Sequence, residues 1–183
     1  MERIETKNLV LRKATKNDLD AIWKNIWQDE SVAKWMYWQP TKTYEDAVDR
    51  LERTMAYQAA NQAYFVCLKE TDEAIGFAGI KELEPKVFEE SGICVATKCQ
   101  NLGYGKEILQ ALMNLAFDEF GAEKFFYACM HENERSRKVC ERFGFHYSHS
   151  AEEVRQWDGA QFVNDFYYLM RDEYKNGCGN SEN

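Results

Sequence analysis

Proline is nearly missing from this sequence, with 2 residues among 183, and histidine is scarce, with 3. So little proline excludes a proline-rich linker or a polyproline ligand. Basic residues are the minority charge: 23 Lys and Arg stand against 31 Asp and Glu, a formal net charge of −8. A field of that sign repels phosphate backbones and draws in small cations and amines, which argues against nucleic acid as a partner. No apolar run approaches the roughly 18 residues that a bilayer span requires, and Met1-Glu2-Arg3-Ile4-Glu5 lacks a basic-then-apolar leader. The expectation is a cytoplasmic protein that engages neither membrane nor nucleic acid.

Paired cysteines are also absent. The six, at 67, 94, 99, 129, 140 and 178, form no Cys-x-x-Cys pair, and five fall inside apolar or periodic segments, as reduced thiols do. Cys129-x-His131 and His146-x-x-His149 have no second ligand pair at finger-like spacing, so no metal is expected. What is plentiful is apolar surface, with 45% hydrophobic and 14% aromatic residues, enough for one self-sufficient core. We read one domain over 1–174 and a flexible tail over 175–183.

Periodicity divides that domain into a clear order of elements. Leu9 and Leu11 alternate with polar neighbours in a short first strand. A capping box at Thr15–Asp18 precedes the helical spacing of Leu19, Ile22, Trp23, Ile26 and Trp27. A second helix starts at Thr43-x-x-Asp46, with Ala47, Val48, Leu51, Met55 and Ala59 as its apolar stripe. Strands follow over 63–69 and 74–83, joined through Thr71-Asp72-Glu73, and then over about 88–97. The central helix lies within 100–120, with Ile108, Leu109, Leu112, Met113, Ala116 and Phe120 inward, and Gly121 ends it. A strand over 124–130, a short helix over 133–143 and two strands near 145–157 and 161–170, around Asp158-Gly159, complete the series. The order β-αα-βββ-α-β-α-ββ predicts an α/β domain with a mixed, mostly antiparallel sheet and helices on both faces.

Gln100-Asn101-Leu102-Gly103-Tyr104-Gly105-Lys106 lies between a strand and a helix start. Backbone amides there lack helical partners and the dipole is positive, so such a turn cradles phosphate, and glycine lets the ligand approach the backbone. A dinucleotide fingerprint requires Gly or Ala where Ile108 stands, and no Gly-Lys-Ser/Thr supplies a Walker loop.

Gln100-x-x-Gly103-x-Gly105, ahead of the central helix, resembles the Gln/Arg-x-x-Gly-x-Gly/Ala signature of the GNAT superfamily of acetyltransferases. Asn133-Glu134-Arg135-Ser136, with Gly144-Phe145 after it, is similar to the Asn-x-x-Ser segment of the RimJ/RimL-type branch. The likeness covers about 4–170.

This resemblance implies that acetyl-CoA is the acyl donor. Its pantetheine arm would bond along the strand of Ile93, Cys94 and Val95, and its pyrophosphate would meet the amides of Leu102, Gly103, Tyr104, Gly105 and Lys106, with Gln100 and Asn101 in the same loop. Asn133, Ser136 and Arg137 are further cofactor candidates; Asn133 equally suits a helix cap, and the basic face around Arg137 equally suits solvent. The amide of Val95 is the candidate oxyanion donor. Glu90 is the candidate base, with Glu89 and Glu82 as competitors and an ordinary strand carboxylate as the alternative. Many members place a Tyr four residues before the Gly-Phe; here Cys140 stands at that place, either as proton donor or as packing.

The acceptor wall would hold Trp35, Tyr37 and Trp38, which clamp a cationic or apolar group or else pack as a hinge. The implied activity is direct transfer of acetyl to a primary amine, a protein N-terminus or a small molecule, in a ternary complex, by a monomer or homodimer. A catalytically silent acyl-CoA-binding module and an enzyme using another acyl group are the rival readings.

Overall fold

Helix-period and strand-period segments fold as their patterns require, with additions at both ends. The computed structural model describes residues 2–178, with side chains through Tyr174. The first addition is β1 (Arg3–Glu5), which pairs antiparallel with β2 (Leu9–Arg12), Ile4 opposite Leu11. The alternation expected of β2 does not hold: Leu9, Val10 and Leu11 are all buried, because both faces of this strand are covered.

The Asp18 carboxylate accepts from the Thr15 amide at 2.7 Å, which closes the predicted N-terminal turn, and it also takes two bonds from the Arg12 guanidinium at 2.7 and 2.9 Å. From there a 3-10 turn (Lys16–Asp18) leads into α1 (Leu19–Ile22) and a π turn (Trp23–Trp27), burying Ile22, Ile26 and Trp27. Asp29 caps the short α2 (Glu30–Ala33) by accepting from Ser31 N. Thr43 caps α3 (Tyr44–Ala60), its hydroxyl accepting from Asp46 N at 3.1 Å. Ala47 and Leu51 face inward as predicted, but Ala59 is exposed. Gln58 occupies the interior instead, because its Oε1 accepts the Ala14 amide at 2.6 Å and a buried N–H must find an acceptor.

Strand β3 (Gln62–Leu68) pairs antiparallel with β2 and with β4 (Ala74–Glu84). After β5 (Val87–Val95) comes α4 (Tyr104–Asn114), extended by a π turn (Leu115–Glu119). The wide turn changes the phase of the helix: Phe117 is fully buried, whereas Phe120, expected inside, is 39% exposed and stacks on Phe88 at 5.7 Å.

Strand β6 (Lys124–Met130) precedes α5 (Glu134–Arg142), β7 (His146–Val154) and β8 (Gln161–Met170). The final hairpin has a longer loop than the expected strand bounds near 157 and 161 leave: Val154 pairs with Gln161, and Arg155 grips Asp158 inside the loop. The sheet runs β1-β2-β3-β4-β5-β6-β8-β7, with β5 and β6 parallel and the β1–β2, β2–β3, β3–β4, β6–β8 and β7–β8 pairs antiparallel. This is the mixed, mostly antiparallel α/β domain expected.

The chain continues as α6 (Arg171–Cys178), so the segment expected to fray from Lys175 is helical as far as Cys178; the rest of that tail, 179–183, lies outside the described residues. Tyr174 anchors this helix: it stacks on Phe117 at 4.6 Å and donates to Asn114 at 2.7 Å and Asp118 at 3.0 Å. Two compact units make up the described residues, one formed by those to Lys81 with Ser91–Leu112, the other by Glu82–Glu90 with those from Met113 on. No helix of the described residues is long and apolar enough to cross a membrane.

Candidate active site

Strand β5 pairs with β6 only over Val87–Glu89, opposite Lys124–Phe126, and then runs on to Val95. Gly92, at φ +116°, bends it just past that ladder, a conformation that side-chain-bearing residues rarely adopt. Beyond the bend β5 is held close to β4: a Cβ on Gly76 would stand 2.0 Å from the Cys94 carbonyl oxygen, and one on Gly79 would stand 2.6 Å from Ser91 Oγ. Cys94 is buried and Ile93 and Val95 are half-buried.

The loop after β5 is tied back to it, since Gln100 Nε2 donates to the Val95 carbonyl at 3.2 Å. Asn101 and Gly103 both have positive φ, +65° and +83°, and turn the chain into α4. Glu107 N donates to Gly103 O at 3.1 Å, so the amides just before it belong to the open first turn of the helix. A Cβ on Gly103 or Gly105 would meet no atom within 4 Å, while Asn101, Leu102 and Lys106 are exposed and Tyr104 is half-buried. Glu107 fixes this turn from behind, accepting from Asn8 N at 2.6 Å and Asn8 Nδ2 at 2.8 Å as well as from the Thr6 hydroxyl. Burial raises the Glu107 carboxyl, but these bonds outweigh it and hold the group below its ordinary range.

In the second unit, Asn133 caps α5, its Oδ1 accepting from Ser136 N at 3.2 Å. The Ser136 and Tyr127 hydroxyls are 2.6 Å apart. Burial first, and then the charge of Glu90, raise the Tyr127 phenol well above its ordinary value, so Glu90 and Ser136 both act on Tyr127. Arg137 Nη1 donates to the His131 carbonyl at 3.0 Å, and its Nε lies 4.0 Å from Glu141. Cys140 is fully buried, donates to the Arg137 carbonyl at 3.2 Å, and has its thiol pushed up to about 12, mainly by burial.

The first unit also contains a cavity of about 210 Å³ between α3 and strands β3 and β4, reaching Ser91 of β5. Of the three aromatic candidates, Trp38 lines it; Trp35 instead has Lys34 Nζ over its ring at 4.7 Å, and Tyr37 is 56% exposed. Arg50 lines it too, its guanidinium 4.7 Å from the Trp27 ring and 4.3 Å from the Trp38 ring, with Nη1 donating to Thr41 Oγ1 at 2.8 Å. Sequence reasoning missed Arg50 and Tyr127. Arg50 was within reach, because it stands three residues after Ala47 and eight before Gln58, on the inward face of α3.

Residues 8–146 match the family model described as Acetyltransferase (GNAT) domain, and the chain belongs to that family: it is a GNAT-type N-acetyltransferase. It is 24% identical over 170 residues to "Uncharacterized N-acetyltransferase YnaD" of Bacillus subtilis (strain 168), covering 93% of this chain and 97% of that one. Its fold matches a GCN5-related N-acetyltransferase from Brucella melitensis with TM-score 0.83 at 18% identity, over 96% of this chain and 81% of the other. Another match is the Microcin C7 self-immunity acetyltransferase MccE, solved with acetyl-CoA and AMP, with TM-score 0.76 at 17% identity over 90% and 93% of the two chains.

Proposed function

We propose that this chain transfers acetyl from acetyl-CoA directly to a primary amine in a ternary complex. The observation that carries the reading is the amide turn at the start of α4, where the positions over Gly103 and Gly105 are open and the helix dipole is positive. That opening fits a pyrophosphate, held by the amides of Leu102–Lys106, while Ile93–Val95 of β5 offer backbone groups to the pantetheine amides. The donor brings an acetyl group activated as a thioester. The Val95 amide is the candidate for stabilising charge on the carbonyl oxygen.

Glu90 is the candidate to take the amine proton, directly or through a water. A lysine-type amine must lose about 3 pKa units, roughly 4 kcal/mol, to react near neutral pH, whereas an α-amine needs little, so a single carboxylate suits amines of low basicity. Cys140 is not assigned a part in the transfer, since a group that protonates the leaving sulfur must reach it. Asn133-x-x-Ser136 and Gly144-Phe145 support the RimJ/RimL-type branch, and a cytoplasmic monomer or homodimer is the form we expect.

The test is calorimetric titration of acetyl-CoA, with CoA and NAD as comparisons, into the parent protein and a Gly105→Val variant. Binding to the parent and its loss in the variant, followed by amine-dependent thiol release that Glu90→Gln slows at least tenfold, is the expected result. Binding without thiol release for any amine would instead identify an acyl-CoA-binding module.

A further inference from the structure

Among the described residues, one charged side chain lines the cavity beside α3, and it is a cation, Arg50. Arg50 is half-buried, and withdrawing a charge from water is costly unless a counter-charge or a set of acceptors receives it. Its partners among the described residues are the Thr41 hydroxyl and the faces of Trp27 and Trp38. A guanidinium has five N–H donors, and one of them is used here. The other charge that acts strongly on it is that of Arg53, which repels it; burial and that repulsion bring Arg50 down to about 10, still protonated at neutral pH.

Trp38 adds a second unmet donor on the same wall. Its indole Nε1 is buried and has no acceptor among the described residues. The cavity therefore presents donors and positive charge with no carboxylate in its lining. Its other walls include the rings of Phe65, Phe77 and Tyr64, and Ser91, the residue next to Glu90 in the chain, lines it too. The Arg50 charge also reaches the thiol of Cys94, in the β5 segment offered to the pantetheine arm.

We infer that the acceptor is a small aminocarboxylate, whose carboxylate is received by Arg50 while its apolar part lies against the aromatic wall. The inference rests on the acetyltransferase reading and narrows it. A planar guanidinium fork matches a carboxylate in two parallel bonds, and a lone cation suits a monoanion better than a phosphate dianion. A cavity of about 210 Å³ admits a small molecule. A polyamine would bring a second ammonium toward Arg50 with no carboxylate to meet it. A protein N-terminus has no carboxylate beside its amine, so the geometry favours the free small molecule.

The experiment measures acetyl-CoA-dependent thiol release with aminocarboxylates, from α-amino acids with apolar side chains to dipeptides, each beside its carboxamide. Amidation lowers the basicity of an α-amine and so favours reaction of the amide; a preference for the carboxylate must come from the protein. We expect kcat/KM at least tenfold higher for the carboxylate of the best pair. Arg50→Gln should remove that preference by lowering the carboxylate's kcat/KM tenfold or more, and by more than it lowers the carboxamide's, with acetyl-CoA affinity unchanged.

Equal or faster turnover of the carboxamide, a preference that survives Arg50→Gln, or no turnover of any aminocarboxylate while acetyl-CoA binds would each overturn the inference. If Arg50→Gln does not fold, the pairwise comparison in the parent decides alone. Failure of acetyl-CoA to bind the parent would remove the underlying reading, and calorimetry separates that outcome from the others.

Discussion

Gly76 lies directly against the backbone of Cys94: a Cβ added to the glycine would stand 2.0 Å from the Cys94 carbonyl oxygen. No side chain can swing away to relieve that overlap, so β4 and β5 would have to separate along Ile93–Val95, the segment we propose meets the cofactor. Gly76→Ala should lose about 3 kcal/mol, a drop in Tm of roughly 6–12 °C for a chain of this size. Gly105→Ala, whose Cβ meets no atom within 4 Å, should keep its Tm within about 2 °C. Thermal unfolding of the two variants checks both statements, and equal losses would contradict the account of β5.

The Arg12–Asp18 pair joins β2 to the helix entry, with side-chain exposures of 12% and 5%. Burial raises the Asp18 carboxyl, but the bonds from Arg12 and Thr15 outweigh it and hold the carboxyl below its ordinary value. A carboxyl depressed on folding contributes stability that is fully present above its unfolded pKa of about 3.9 and is lost as pH falls through the folded value. Asp18→Asn should therefore cost about 3 kcal/mol at pH 7. Urea titrations at several pH values should show the gap between parent and variant closing below about pH 4.

Cys140 is fully buried, and its thiol is pushed up to about 12. Cys140→Ala should leave kcat within twofold and cost about 1 kcal/mol of stability. The pH profile of kcat should show no limb near the ordinary thiol value of ~8.5 that the substitution removes. A tenfold fall in kcat without loss of stability would return Cys140 to the reaction.

The Tyr127 and Ser136 hydroxyls, 2.6 Å apart, link β6 to the first turn of α5. Removing either takes this bond from the other, so the single changes Tyr127→Phe and Ser136→Ala should each cost about 1 kcal/mol or more. The double variant should be less destabilised than the sum by about 1 kcal/mol, measured in a double-mutant cycle of urea unfolding. Strict additivity would mean that the two hydroxyls do not support each other.

Local chemistry made much of this protein legible in advance. Thr15–Asp18 and Thr43–Asp46 cap helices because a side-chain oxygen and an amide that meet within one turn do so in almost any context. Gly103 turns the chain into α4 at positive φ because few other residues tolerate that backbone. The phases of buried faces were harder to read. Ala59 and Phe120 fit the helical period, yet Gln58 and Phe117 are buried instead, one by a hydrogen bond to a distant amide and one after a π turn.

The sequence by itself determined the order of elements, the family signature and the amide turn, all set by neighbours within a few residues. Only the tertiary structure decided which side chains line the cavity beside α3. A net charge of −8 suggested that small cations would be drawn in, but the cavity beside α3 has a cation in its wall and no carboxylate. The two disagree for a physical reason: net charge sums solvated groups whose fields are screened within about 10 Å, whereas a guanidinium packed between two indoles acts at contact distance with little water between.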